Sequence, residues 1–249
     1  GDYKQSVTAN VERRDFSVQR QDYERYHLLY RGASESGFHV DADISIVPQT
    51  PGSATFRTGS RLRTDLVPDD ANHNPADGEL DQNRYYLALG YNTRFGDTEW
   101  ATTAAFTRTD DDIIRGFHEA NDSDRAHGYT QDRQITDFYF DSHLIQRFGD
   151  VNVSYGVDYL YGKGEQESFR FPYRVGLDGS NPQSSAEAIA ACVPDEPEEC
   201  VALESQIKRH YLGAYTQADW HITPSFNVLA GLRLNYTKER HEGEERGDE

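Results

Sequence analysis

Methionine is absent from the 249 residues, and tryptophan and cysteine occur only twice each. No apolar run approaches the roughly 18 residues that a membrane helix needs, and mean hydropathy is −0.84. A helical membrane protein is therefore excluded. The usual initiator is missing and the start carries no charged-then-apolar leader, so the chain reads as an internal or trimmed piece. Basic residues are scarce: 25 Lys and Arg stand against 43 Asp and Glu, for a net charge of −18. Nucleic-acid binding needs clustered cations against phosphates, so that partner class is disfavoured, as is a basic peripheral helix.

Catalytic signatures are also lacking. There is no G-x-S-x-G elbow. The nine His form no i, i+4 pair on a helix, so a zinc enzyme is not expected. Gly162-Lys163-Gly164 lacks the third Gly and following helix of a phosphate cradle. No catalytic residue, metal site or cofactor is expected. Asp70-Ala71-Asn72-His73-Asn74 has oxygen donors at alternate positions, like the start of a calcium loop. Pro75 follows where the turn glycine belongs, so an ordinary surface loop is the favoured reading.

What the chain does have is alternation. In Val151-Asn152-Val153-Ser154-Tyr155-Gly156-Val157-Asp158-Tyr159-Leu160-Tyr161, every odd position is β-branched or aromatic. Even positions up to Asp158 are small or polar. Successive strand side chains point to opposite faces, so this stretch has one apolar and one wet face. The pattern recurs in about eight predicted strands: 23–31, 38–46, 85–95, 100–106, 136–148, 151–161, 212–222 and 226–236. Short turns such as Gly96-Asp97, Gly149-Asp150 and Thr223-Pro224-Ser225 alternate with long polar connections over 47–80, 109–133 and 162–206. Short links on one side and long ones on the other is the plan of an outer-membrane barrel.

Aromatic spacing points the same way. Tyr85 and Phe95, Phe138 and Phe148, and Phe226 and Tyr236 are each ten residues apart, and a membrane strand needs about 9–11. With Trp100, Tyr161 and Trp220 these rings form two predicted aromatic girdles. A soluble β-sandwich also alternates, but three connections exceed the roughly 12–15 residues usual in compact folds. The fold expectation is all-β: an antiparallel transmembrane β-barrel segment, with residues 1–249 forming part of a single barrel domain. An open sheet leaves edge groups unpaired in lipid, so this stretch is expected to depend on the rest of its barrel.

Two further features belong to the long connections. Cys192 and Cys200 read as a disulfide bracing an extracellular loop, because exported chains fold in an oxidising compartment. The segments 109–133 and 162–204 hold seven and nine acids against three basic residues each. Attraction of cationic ligands is one reading; a solvated surface is the favoured one.

The hairpin from Tyr211 to Tyr236 includes Gly213-Ala214-Tyr215-Thr216-Gln217-Ala218-Asp219-Trp220, a turn with Pro224, and then Ala230-Gly231-Leu232-Arg233. It resembles the TonB-dependent outer-membrane receptors, whose strands often read G-x-Y-x-Q-x-D-W followed by A-G-L-R. The resemblance implies a share of a barrel of about 22 strands, filled by an N-terminal plug that this chain does not show. It implies active uptake of a scarce nutrient such as a ferric siderophore, with an oligosaccharide or cobalamin as alternatives. Implied partners are membrane lipid, lipopolysaccharide, the small ligand (an iron chelate first) and a TonB-type energy complex reached through the plug. A small non-transporting structural or adhesive barrel is the other class. Ligand-contacting residues are not assigned.

Overall fold

The computed structural model describes residues 2–53, 57–58, 61–62, 67–118, 124–192 and 200–246. One antiparallel sheet dominates. Its long strands are β1 (Tyr3–Asp15), β2 (Asp22–Ser34), β3 (Phe38–Val47), β7 (Glu79–Phe95), β8 (Thr98–His118), β9 (Arg125–Phe148), β10 (Val151–Arg174), β11 (Val201–Thr223) and β12 (Phe226–Arg246). Between β3 and β7 lie the two-residue pieces β4 (Gln49–Thr50), β5 (Arg57–Thr58) and β6 (Arg61–Leu62). The long strands pair strictly with their sequence neighbours, from β1 at one edge to β12 at the other; β4 joins β2, while β5 and β6 pair only with each other. The sheet does not close among the described residues.

Turn chemistry sets the register. Gly96 and Gly149 have φ of 61° and 60° at the first position of two-residue hairpin turns, where a type II′ turn demands positive φ. Each is followed by Asp, which explains why Arg-Phe-Gly-Asp occurs twice. Gly37, with φ 94°, turns β2 into β3. At the β11–β12 hairpin the register shifts between His221 and Thr223, beside Pro224.

The strands run further than alternation predicts. β8 continues to His118 and β9 begins at Arg125, so most of 109–133 is ladder and not loop. Likewise β10 continues to Arg174 and β11 begins at Val201, leaving a shorter connection than 162–206. β7 begins at Glu79, ahead of the expected 85. From Lys163 to Ser168, and over much of the β8 and β9 extensions, polar residues stand on both faces, so the period-2 hydropathy signal fades while the hydrogen-bond ladder persists; Phe169, Phe171 and Tyr173 alternate again where the strand packs against the helix Ser185–Ala190. β1 precedes the eight expected strands. Its outward series, Tyr3, Gln5, Val7, Ala9 and Val11, is too mixed to stand out.

The packed core lies at the loop end. Ala126, Phe171, Tyr173, Val175 and Ala188 form a buried cluster, with Phe169, Ile189 and Cys192 against it. Ala188 and Ile189 come from the short helix α1 (Ser185–Ala190). Ser184 caps it in a capping box with Glu187, satisfying two backbone donors that the first turn leaves open. No helix among the described residues is long and apolar enough to cross a membrane.

Candidate membrane wall and lumen face

Directly opposed residues in an antiparallel sheet point to the same side. One row crosses the sheet as Leu89, Ala104, Phe140, Tyr159, Leu212 and Tyr236. The next toward the short turns is Tyr91, Thr102, Ser142, Val157, Ala214 and Leu234. This face leaves large apolar side chains uncovered: Val157 is 46% exposed, Leu212 51% and Leu234 66%. All nine expected girdle residues stand on it. Phe95, Trp100, Phe148, Trp220 and Phe226 lie toward the short turns. Tyr85, Phe138, Tyr161 and Tyr236 lie at the opposite margin of the apolar belt.

That margin is slanted relative to the register. Its last apolar members are Ile46, Tyr85, Phe106, Phe138, Tyr161, Leu212 and Tyr236 on β3 and β7 to β12. Ile46 faces Asn83, two residues beyond Tyr85; Tyr85 faces Arg108, two beyond Phe106; Tyr161 faces His210, two beyond Leu212. Three two-residue steps over six strand intervals amount to one residue per strand. With about 3.3 Å per residue and about 4.8 Å between strands, a level belt requires strands tilted by roughly 35°, within the range for membrane barrels. A sandwich core has no reason to drift in this way.

The other face is polar and cross-linked. His39, Asp41, Asp43, Asn152, Ser154, Asp158, Asp219, Asn227, Arg233 and Asn235 all lie on it. Asp43 Oδ2 is 2.7 Å from His27 Nε2, and its Oδ1 accepts from Arg84 at 3.1 Å. Arg233 donates to both Asp158 oxygens at 2.8 and 2.9 Å and to the Tyr211 hydroxyl at 2.7 Å. Its guanidinium also stands 5.5 Å from the Tyr215 ring centre. Asp141 accepts from Tyr215 at 3.4 Å and lies 2.7 Å from His143 Nδ1. Charges paired within and between strands suit a wetted wall, where isolated ones would be costly in lipid.

Above the belt, residues 67–78 are pressed against the strand ends. Asn72 Nδ2 donates to the carbonyls of Gln19 and Pro51 at 2.8 and 3.0 Å. Its Oδ1 accepts from the backbone and side-chain nitrogens of Asn74 at 3.1 and 2.8 Å. Asn74 Oδ1 accepts from the Gly116 amide at 3.0 Å. The amide oxygens of the calcium-like motif are thus consumed in holding the loop. Among the described residues no His, Cys, Asp or Glu group of three or more is arranged to hold a metal ion. His73 is buried with Nε2 2.8 Å from the Leu177 carbonyl, and burial holds its imidazole below the ordinary range. Tyr173 donates to the His73 carbonyl, and burial pushes its phenol far up, so it is a neutral donor. Cys192 and Cys200 are disulfide-bonded with Cα atoms 6.1 Å apart; residues 193–199 between them lie outside the described set.

The family described as TonB dependent receptor-like, beta-barrel, matches residues 23–246. The chain belongs to this family. No curated protein sequence matches. Among solved structures, the FpvAI–pyocin S2 complex matches with TM-score 0.65 at 12% identity, over 99% of this chain and 35% of that one. BauA, the ferric preacinetobactin receptor of Acinetobacter baumannii, gives 0.61 at 12%, over 96% and 37%. The ferric citrate transporter FecA in its unliganded form gives 0.60 at 11%, over 97% and 33%. At such identities the likeness shows the fold, and this chain spans about a third of each receptor's length. The family's barrels are outer-membrane proteins of Gram-negative bacteria, and its members are receptors and transporters.

Within this wall, alternation locates both faces below the margin of the apolar belt. It misses the cap of 67–78, Tyr173 and α1. The signals present were the Ser184/Glu187 capping box and the polar but proline-punctuated run through Asn72 to Pro75. Neither reveals a partner 100 residues away, which is the separation of Tyr173 and His73.

Proposed function

We propose that residues 1–249 form part of the barrel domain of an outer-membrane receptor that imports a small iron chelate with TonB-derived energy. The observation that carries this reading is the two-faced wall, apolar outside and cross-paired inside, with strands that continue beyond the membrane to a packed cap. A conduit for polar solutes needs both surfaces. Family membership supports the energy-coupled part. FecA and BauA, by their names, handle ferric citrate and ferric preacinetobactin, which favours an iron chelate over an oligosaccharide or cobalamin. The lumen network would face a plug and the ligand path, the outward belt would meet lipid and lipopolysaccharide, and the disulfide would brace the mouth.

The test is uptake of iron-55 chelates by iron-starved cells expressing the full-length gene, with and without the inner-membrane energy complex. Energy-dependent accumulation of one chelate is the expected result. Energy-dependent import of cobalamin or an oligosaccharide, with no chelate transported, overturns the iron assignment. No energy-dependent uptake of any of these overturns the transport reading.

A further inference from the structure

Above the belt the strand extensions sort charge by face. Arg108 and Lys163 stand at the outward margin, each ion-paired within its own strand, to Asp110 and Glu165. Past them the outward side of β8 to β10 carries the carboxylates Asp110, Asp112, Asp132, Glu165 and Glu167, and no Lys or Arg. The lumen side reverses the sign. Arg115, Arg125, Arg133, Arg170 and Arg174 all stand there, and among the described residues of these extensions Asp111 is its one carboxylate. Asp111 is buried and already held, accepting from Arg133 Nε at 2.8 Å and from Gln82 at 2.9 Å. In a chain of net charge −18, a cationic inner face is not a by-product of composition. The strand-borne acids of residues 109–133 and 162–204 point mostly away from the passage. They repel an anion from the outside of the wall and leave the inner guanidinium groups to draw it in.

Two of the inner cations frame an aromatic pair. Tyr129 on β9 is the direct register partner of Arg115 on β8 and of Arg170 on β10. The Phe117 and Tyr129 rings are stacked, with centres 6.4 Å apart and planes at 16°. The Arg115 guanidinium stands 5.8 Å from the Phe117 ring centre. Phe117 is 48% exposed, and Arg170 is exposed. Arg115 makes one long bond, to the Gly52 carbonyl at 3.5 Å. Neither Arg115 nor Arg170 meets a carboxylate among the described residues. A guanidinium carries five N–H donors, so most of both forks is unused. This row lies roughly 30 Å of strand beyond Phe138, at about 3.3 Å per residue, well above the apolar belt.

Two strand intervals, about 10 Å, separate the backbones of the two Arg residues, which leaves room for one ring between their forks. A flat, negatively charged aromatic group fits that frame. Its oxygens accept from the guanidinium groups, and its ring stacks on Tyr129 and Phe117. Iron held by aryl oxyanions presents this chemistry at its surface. A neutral chelate with aliphatic donors offers neither the charge nor the ring.

We propose that Arg115, Phe117, Tyr129 and Arg170 form a capture site for anionic iron chelates whose iron ligands are aryl oxygens. The inference rests on the import reading above and narrows its substrate class.

The test measures binding to the full-length receptor in energy-depleted cells, which separates capture from transport. The probes are the iron-55 complexes of a synthetic tris-catecholate (anionic, with rings), of citrate (anionic, without rings) and of a trihydroxamate (neutral). The tris-catecholate complex is expected to bind about tenfold more tightly than the citrate complex, and the trihydroxamate weakest of all. Arg115→Gln with Arg170→Gln is expected to weaken both anionic complexes about 100-fold, since a hydrogen bond to a charged group is worth roughly tenfold in affinity. Arg170→Gln alone, on an exposed side chain, is expected to account for about tenfold of this. Arg115→Lys with Arg170→Lys should recover part of the loss. Phe117→Leu with Tyr129→Leu is expected to weaken the tris-catecholate complex alone, about tenfold. The outward pair Asp112→Asn with Glu167→Gln is expected to leave all three unchanged. Heat-modifiable gel migration verifies the fold of every variant. Equal wild-type binding of the tris-catecholate and trihydroxamate complexes overturns the capture site, as does a folded Arg double variant that binds like wild type, or an outward effect as large as the inward one. Energy-dependent iron uptake would still uphold the import reading in those cases. Uptake of no chelate by energised cells overturns both.

Discussion

Asp158 on β10 and Arg233 on β12 meet across β11 because Gly213 lies between them. A Cβ on Gly213 would stand 2.6 Å from both the Asp158 carboxylate and the Arg233 guanidinium. The empty position is what lets a salt bridge span two strand intervals. Gly213→Val is therefore expected to separate the pair and to cost about 1–3 kcal/mol through overpacking. The urea midpoint of the refolded full-length receptor should fall accordingly, and an unchanged midpoint would show that the bridge moves aside freely.

The two faces should respond oppositely to one charge. Val157→Arg places a cation near the middle of the lipid belt, at a cost of about 2–4 kcal/mol. Ser154→Arg, three residues away, places it in the lumen and should be tolerated. The fraction of heat-modifiable receptor in outer-membrane preparations reports the contrast.

Tyr173→Phe keeps the ring and removes the donor to the His73 carbonyl. Leaving that buried acceptor without its donor costs about 1–3 kcal/mol. The loss is expected to be local: faster amide exchange over 67–78 and α1, with no change in β11 and β12. Uniform protection in the cap would refute the assignment.

The cap should also loosen in acid. Burial dominates the lowering of the His73 pKa, with smaller lowering contributions from His118 and Arg20; the Leu177 carbonyl and Asp178 oppose it. The unfolded segment, with an ordinary value near 6.5, takes up its proton first as pH falls. Cap stability is therefore complete above about pH 6.5 and declines between there and the lower folded value. Exchange over 67–78, corrected for the intrinsic rate, should rise from pH 7.5 to 5.5 in wild type and less in His73→Gln.

Reducing the Cys192–Cys200 bond opens a short loop closure worth about 2–3 kcal/mol of chain entropy. Cys192 packs against the Phe171 cluster. Reduction is thus expected to expose the β10–β11 connection to protease while the strands stay resistant. Cleavage within β10 or β11 would place the bond's role in the wall itself.

The same physics explains what was legible in the sequence. Val151 to Tyr161 declares two faces because lipid and water impose opposite demands on alternate residues. From Lys163 to Ser168 both sides of the strand carry polar or small residues, so the pattern fades although every residue from Val151 to Arg174 has a ladder partner on β9. The tie between Tyr173 and His73 depends on how the strand ends and the loop converge. No local periodicity encodes that convergence. The cysteine pair, by contrast, is legible because compartment chemistry leaves a thiol pair few other roles.

The tilt and the strand lengths together set the stature of the mouth. From Lys163 to Arg174 the β10 contour is roughly 40 Å at about 3.3 Å per residue, or some 30 Å of height at barrel tilts. In the membrane reading proposed above, the wall would rise as a parapet above the headgroups. In that orientation, a solute diffusing toward such a wall would be shielded from the bilayer surface well before it reached the plane of the membrane, with protein along one side of its path.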